Sequence, residues 1–291
     1  MMKRAFKQVD VFTSVPFKGN PVAVVMDGSG LTTQQMQAIA HWTNLSETTF
    51  VLPAEDKRAS YRVRIFTPGS ELPFAGHPTI GTASALLEAG LITAADGKIV
   101  QECAAGLITL HVSGDADQPL TIAFTLPEPV ITLLTQDEVE KLEKALNCQI
   151  DRSVTPALVD VGARWVVAKA FTPESVLQAK PDYTALAAAD SENSATGTCL
   201  FAAYDSGSAD IEVRSFAPAC GVSEDPVCGS GNGSVAAFMR FHNMPLIQKS
   251  SLLSSQGQKL GRAGRVHLDI TPDAVKVGGA AVTCIDGHLT V

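Results

Sequence analysis

A repeated segment constrains the fold of this chain more than any other feature of its sequence. Residues 64–76 and residues 214–229 both read R-x-F-x-P and then E-x-P-x-x-G, and a helix pattern of small residues follows each copy. The second copy has three extra residues in its loop. Because the copies lie about half the chain apart, they predict two halves of one architecture rather than the short units of a solenoid. We expect the arginine that begins each copy, Arg64 or Arg214, to support its loop.

Each copy places glycines at the start of its predicted helix. The first backbone N–H groups of a helix have no partner within it, and the helix dipole is positive at this end. Glycine also lets a ligand approach the backbone closely. Such a helix start can hold a carboxylate, or the negative charge that develops on a carbon atom losing its proton. We therefore expect residues 76–79 and 229–232 to face each other across one cleft.

The order of the predicted elements indicates an α+β fold. Many short strands accompany few helices, and the regular strand–helix alternation of a parallel sheet is missing, so we expect a mainly antiparallel sheet. Thr32 and Gln35 have the spacing of a capping box, which predicts a helix start there. A Pro-Glu-Pro break at 127–129 divides the chain into predicted halves of residues 1–128 and 129–291. The last strands are expected to pack back on the first half.

Charge, hydropathy and cysteine content argue against several classes of protein. The chain carries 22 basic and 30 acidic residues, and no run of Lys or Arg indicates a nucleic-acid surface. No apolar stretch approaches the roughly 18 to 20 residues of a membrane span, and we find no signal-peptide pattern. The six cysteines form no C-x-x-C pair, so we expect no metal site and a cytoplasmic protein with reduced thiols. The 45% of hydrophobic residues suffice for a core, in which we expect Trp42 and Trp165.

Four stretches, taken in order, form a recognisable pattern. They are QVDVF at 8–12 with FKGNPVAVV at 17–25, SET at 46–48, the segment 66–79 that ends in GHPT, and SEDPVCGSGN at 223–232. Together they resemble the PhzF-like family, named for phenazine biosynthesis, within the diaminopimelate-epimerase-like fold. The resemblance implies two halves, each a curved antiparallel sheet wrapped round a central helix, with the active site in the cleft between them. It further implies a homodimeric isomerase that shifts a proton between carbons of a small carboxylated substrate without metal or organic cofactor.

The resemblance also assigns the active-site residues. Glu47 falls on the family's catalytic glutamate, the general acid/base, and His77 and Asp225 fall on its active-site histidine and aspartate. The substrate-binding residues that it implies lie in the two glycine-rich loops: Gly76, Pro78, Thr79, Gly229 and Ser230. If Glu47 is buried beside the apolar run 50–52, its pKa is raised and it can take and return a proton near neutral pH. At a helix start, His77 is expected to be neutral.

Cys228 keeps other functions open. Epimerases of the wider fold use a cysteine in each loop, and a thiol at a helix start can have a lowered pKa. In this chain the first-loop counterpart of Cys228 is Ala75, so one of the two thiols is missing. Cys228 fits a buried packing residue equally well. The alternatives to a proton-shift isomerase are therefore a racemase or epimerase that uses Cys228, and a binding protein without catalysis. The sequence does not identify the substrate.

Overall fold

The computed structural model describes residues 2–114 and 119–291, which form a mixed α/β fold. As predicted, it is rich in strands and has few helices. The strands are β1 (Lys3–Val11), β2 (Asn20–Val25), β3 (Glu47–Leu52), β4 (Tyr61–Phe66), β5 (Glu71–Leu72), β6 (Lys98–Cys103), β7 (Gly106–Ser113), β8 (Thr121–Thr125), β9 (Val130–Leu133), β10 (Ala157–Asp160), β11 (Arg164–Lys169), β12 (Gly197–Ala203), β13 (Ile211–Ala217), β14 (Val222–Asp225), β15 (Ser251–Gln256), β16 (Gly264–Ile270) and β17 (Val275–Thr290). The α-helices are α1 (Thr33–Thr43), α2 (Gly76–Glu88), α3 (Gln136–Leu146), α4 (Pro173–Gln178), α5 (Tyr183–Glu192) and α6 (Gly229–Phe241). Over the described ranges, no helix is long and apolar enough to cross a membrane.

The chain divides into two compact units. Unit 1 comprises Met1–Phe124 and Gly278–Val291, and unit 2 comprises Thr125–Val277. The first segment of unit 1 ends at Phe124, close to the Pro-Glu-Pro break at 127–129, and its second segment contains most of β17, which pairs with β1. In that antiparallel pair, the register runs from Lys3 opposite Thr290 to Val11 opposite Ala281.

Unit 1 places the first glycine-rich loop at the start of α2. β1 pairs antiparallel with β2, and β2 pairs parallel with β3, so that Val22 lies opposite Glu47. α1 connects β2 to β3 and begins at the predicted capping box of Thr32 and Gln35. α2 packs on β1, β2 and β3. Its small residues permit this close approach, since a Cβ atom on Gly81 would lie only 2.4 Å from a Val22 methyl group.

Unit 2 places the second glycine-rich loop at the start of α6. β12 pairs parallel with β11 and antiparallel with β13, while β13 pairs parallel with β15. The sheet is thus mixed, with parallel pairs as well as the expected antiparallel ones. α6 contacts β10, β11, β12 and β16, and ten of its thirteen residues are buried. Packing requires a glycine at position 231 of α6, because a Cβ atom there would lie 2.8 Å from both Cys199 Sγ and Ser215 Oγ.

The two tryptophans have different environments. Trp165 is buried on β11, as predicted, but the prediction for Trp42 is wrong because 77% of this residue is exposed. α1 turns Met36 and Ala40 towards the core, and Trp42 lies outside that buried face near the end of the helix.

Candidate active site

Glu47 is the first residue of β3 and lies at the edge of the buried part of this strand. Its side chain is only 15% exposed, and the next four residues of β3 are buried. Removal from water raises the pKa of Glu47 to about 7, an increase that a hydrogen bond from Ser46 partly opposes. Its Oε2 atom is buried and accepts no hydrogen bond of good geometry from residues 2–114 or 119–291. At neutral pH this carboxyl group can therefore either accept or donate a proton.

His77 lies next to Glu47 in unit 1. It is the second residue of α2, its side chain is 8% exposed, and its Nε2 atom is 3.1 Å from Glu47 Oε2. Pro78 and Thr79 follow in the same buried first turn. The residue before α2, Ala75, provides no side-chain cap to the helix. The first turn of α2 thus combines uncapped N–H groups with an adjacent carboxyl–imidazole pair, a combination suited to an anionic substrate and proton transfer.

Gly76 starts α2 against an aromatic ring. A Cβ atom at this position would lie 2.9 Å from Phe124 Cζ, so a larger residue would require the ring to move. The predicted residues Glu47, Gly76, His77, Pro78 and Thr79 therefore belong to one local structure at the start of α2.

In unit 2, Asp225 and Ser230 have defined polar contacts. Asp225 ends β14, and its Oδ1 atom accepts a 3.0 Å hydrogen bond from Val227 N, which is the turn-forming geometry expected of an Asp before a proline. Ser230 Oγ accepts a 3.0 Å hydrogen bond from Trp165 Nε1. Gly229 is the buried first residue of α6. These predicted residues are thus adjacent in the second loop, whereas the opposition of the two loops stays a prediction.

Cys228 is the N-cap residue of α6, and it is buried. Its Sγ atom accepts a 3.2 Å hydrogen bond from Gly231 N and lies 3.6 Å from Ser230 Oγ. Burial raises the pKa of Cys228 well above its ordinary value, and the nearby Asp225 carboxylate raises it further. Of the two interpretations left open for Cys228, this environment favours the buried packing residue, because loss of hydration outweighs the favourable backbone N–H groups.

The repeated arginines support the two loops, as expected. Arg64 donates two hydrogen bonds of 2.7 Å to Glu71, and Arg214 donates hydrogen bonds of 2.9 and 2.8 Å to Glu224. Each guanidinium also lies over the phenylalanine two residues along its strand, 5.1 and 4.8 Å from the ring centroid. Since bidentate pairs fix orientation as well as distance, each arginine holds its loop against its own strand.

Sequence reasoning missed three contacts to the second loop. Trp165 was assigned only to the core, although a buried indole N–H needs an acceptor and could have indicated a polar partner. Asn232 lies in the motif but was given no role. Gln256 lies 24 residues beyond Asn232 and carries no motif, so only the fold reveals its contact with the loop. Among the residues that the structure describes, no group of three or more His, Cys, Asp or Glu side chains could hold a metal ion.

Comparison with known proteins identifies the class of this chain. A family model described as phenazine biosynthesis-like protein matches residues 9–287. Antisense-enhancing sequence 1 of Schizosaccharomyces pombe is 41% identical, with 99% of each chain covered. Trans-2,3-dihydro-3-hydroxyanthranilate isomerase of Pseudomonas aeruginosa is 35% identical, over 89% of this chain and 87% of that protein. A crystal structure of a PhzF-family phenazine biosynthesis protein from Bacillus anthracis matches with a TM-score of 0.87 at 25% identity, covering 100% of both chains.

These similarities define an enzyme of the isomerase class. The chain belongs to the phenazine biosynthesis-like protein family, which confirms the resemblance found in the sequence. The alternative of a binding protein without catalysis is therefore not supported.

Proposed function

We propose that this isomerase moves a proton between carbon atoms of a small carboxylated metabolite, with Glu47 as the general acid/base and no metal or organic cofactor. The observation that carries the proposal is the buried Glu47 carboxyl group, whose pKa is raised to about 7 and whose Oε2 atom lies 3.1 Å from His77 Nε2. A group of this pKa exists in both protonation states at neutral pH, as a residue that removes and then returns a proton must.

The surrounding residues have complementary roles in the proposal. Glu47 removes a proton from one carbon of the substrate and delivers it to another, while His77 hydrogen-bonds the reacting region or Glu47 itself. The N–H groups at the start of α2 bind the substrate carboxylate or the negative charge that develops on proton removal. Asp225 and Ser230 contribute from the second loop. This requires the finer architecture that the family resemblance implies, namely two similar halves, each with a central helix, and a cleft between them.

Several further properties belong to the same proposal. We infer a substrate of the same chemical class as trans-2,3-dihydro-3-hydroxyanthranilate, the compound named for the Pseudomonas aeruginosa relative. We also infer a cytoplasmic homodimer. A racemase that uses Cys228 is disfavoured by the raised pKa of this thiol and by Ala75 in the first loop.

The test is proton exchange at carbon. Trans-2,3-dihydro-3-hydroxyanthranilate, followed by a panel of other small carboxylated compounds, is incubated with the protein in deuterated water, and NMR records conversion and deuterium at each carbon. We expect Glu47→Gln to bind the active compound with similar affinity but to lose about 10²-fold or more in turnover. The matched control is Glu192→Gln, which changes an exposed glutamate of α5. Near-normal turnover by Glu47→Gln would exclude this role for Glu47.

A further inference from the structure

Two fully buried amide side chains lie beneath the second loop. Asn232 is the fourth residue of α6, and Gln256 is the last residue of β15. Asn232 Nδ2 donates a 2.7 Å hydrogen bond to Gln256 Oε1. Because neither amide is exposed, the hydrogen bonds that they make are with groups in the interior of unit 2 and with the loop.

The amide pair binds the backbone of the loop at three atoms. Gln256 Nε2 donates a 2.9 Å hydrogen bond to the carbonyl oxygen of Asp225, and Gln256 Oε1 accepts a 3.2 Å hydrogen bond from Cys228 N. Asn232 Nδ2 also donates a 2.8 Å hydrogen bond to the carbonyl oxygen of Cys228. The pair thus fixes the chain on both sides of Pro226 and Val227, between Asp225 and Ser230.

Close backbone packing reinforces these hydrogen bonds. Gly257, next to Gln256, has a φ of +95°, and a Cβ atom there would lie 2.4 Å from the Pro226 carbonyl oxygen. Gly264 pairs with Gln256 across β15 and β16, and its Cβ atom would lie 2.3 Å from a Val227 methyl group. The loop therefore lies directly on this hairpin, which leaves it little freedom to shift.

A related contact occurs in unit 1. Gln101 is buried on β6, accepts a 2.9 Å hydrogen bond from Tyr61 Oη and donates a 3.0 Å hydrogen bond to Thr79 Oγ1. Thr79 is the fourth residue of α2, as Asn232 is of α6. In each unit, the strand that pairs parallel with the R-x-F strand carries a buried glutamine, and this glutamine hydrogen-bonds the fourth residue of the helix.

We infer that Gln256, together with Asn232, positions Asp225 and Ser230 for catalysis. Neither amide reacts, and both act through the backbone of the loop. The inference rests on the proposed function, because it takes the second loop as part of the active site. Loss of the amide contacts would let Asp225 and Ser230 shift, and displacement of reacting groups by about 1 Å can reduce turnover by about 10²-fold.

Two substitutions of Gln256 separate positioning from simple packing. Gln256→Met keeps a similar volume but removes all three hydrogen bonds of this side chain. Gln256→Glu keeps the shape, and burial raises the pKa of the introduced carboxyl group. The protonated carboxyl group can donate a hydrogen bond to the Asp225 carbonyl oxygen and accept hydrogen bonds from Cys228 N and Asn232 Nδ2. Gln256→Glu should therefore keep the loop in place at low pH and lose this effect at high pH. Thr198→Val is the matched control, since it removes a buried 2.8 Å hydrogen bond to Asp190 in the same unit.

The first measurement needs no substrate. Hydrogen–deuterium exchange of residues 225–232 follows the loop directly, because Cys228 N donates to Gln256 in the native protein. We expect Gln256→Met to accelerate exchange in this segment about 10-fold or more, and Thr198→Val to leave it within twofold of wild type. Melting temperatures of all variants identify a global loss of stability.

The second measurement is turnover of trans-2,3-dihydro-3-hydroxyanthranilate, expressed as a ratio to wild type at each pH. We expect Gln256→Met to lower kcat about 10-fold or more with a smaller change in KM. We expect Gln256→Glu to stay within threefold of wild type near pH 6 and to lose activity towards pH 9. If Gln256→Met does not fold, the pH-dependent rescue in Gln256→Glu decides the question.

The outcomes distinguish this inference from the proposed function. If the wild-type protein does not convert the compound, the assigned substrate class fails, and hydrogen exchange alone decides whether Gln256 holds the loop. Unchanged loop exchange in Gln256→Met, or a kcat/KM within twofold of wild type at every pH for both Gln256 variants, would overturn the inference.

Discussion

The buried Glu47 carboxyl group should make the stability of the protein depend on pH in an unusual direction. Its pKa rises from an ordinary 4.5 to about 7 because folding removes it from water. Between these values the folded state binds more protons than the unfolded state, so this group's contribution to stability falls as pH rises. A pKa change of this size contributes about 3 kcal/mol to the free energy of unfolding at low pH, and this contribution is lost between about pH 4.5 and pH 7. Glu47→Gln keeps the shape without the charge, so above pH 7 it should be more stable than wild type by up to about this amount.

Urea denaturation of the two proteins at pH 4.5, 6 and 8 measures this difference. The free energy of unfolding of Glu47→Gln minus that of wild type should increase from pH 4.5 to pH 8. Glu192→Gln, at an exposed position, should show no such increase. A difference between Glu47→Gln and wild type that stays constant over this range would refute the raised pKa, and with it the main support for Glu47 as acid/base.

Three further predictions concern the pH profile and the second loop. Since proton removal needs ionised Glu47, kcat/KM should fall as pH decreases below about 7, which a pH–rate profile measures. Cys228→Ser should keep substantial activity because the thiol is buried and its pKa is raised; an activity loss as large as that of Glu47→Gln would favour the racemase alternative instead. Gly231→Ala should destabilise the protein by about 1–3 kcal/mol, because its Cβ atom would lie 2.8 Å from Cys199 Sγ and Ser215 Oγ, and thermal unfolding would reveal a change of this size.

A local signal in the sequence predicted the start of α1. The Thr32–Gln35 capping box is present as expected. By contrast, the first turn of α6, which begins at Gly229, consists largely of glycine. Glycines have low helix propensity, and only the close packing of Gly231 and Gly233 against side chains of unit 2 explains why they are helical. No sequence pattern named above predicted α5, although Asp182 Oδ1 caps this helix by accepting hydrogen bonds from Thr184 N and Ala185 N.

The site was predictable in residue identity but not in geometry. Glu47 and His77 could be named from motifs, yet their 3.1 Å contact depends on how α2 packs against β3. The sequence left two interpretations of Cys228 open because it does not state burial, which reverses the effect of a helix start on the pKa of this thiol. Trp42 was placed in the core from residue type alone, but α1 has only one buried face and Trp42 is not on it.

The return of β17 to β1 has a consequence for the order in which the chain can fold during synthesis. All of unit 2 lies within Thr125–Val277, whereas unit 1 also needs Gly278–Val291. During synthesis, all residues of unit 2 therefore leave the ribosome before the second segment of unit 1 does. Until β17 emerges, one edge of β1 lacks its partner strand and can pair with another chain. We expect limited proteolysis of ribosome-stalled chains to find unit 2 protected earlier than β1.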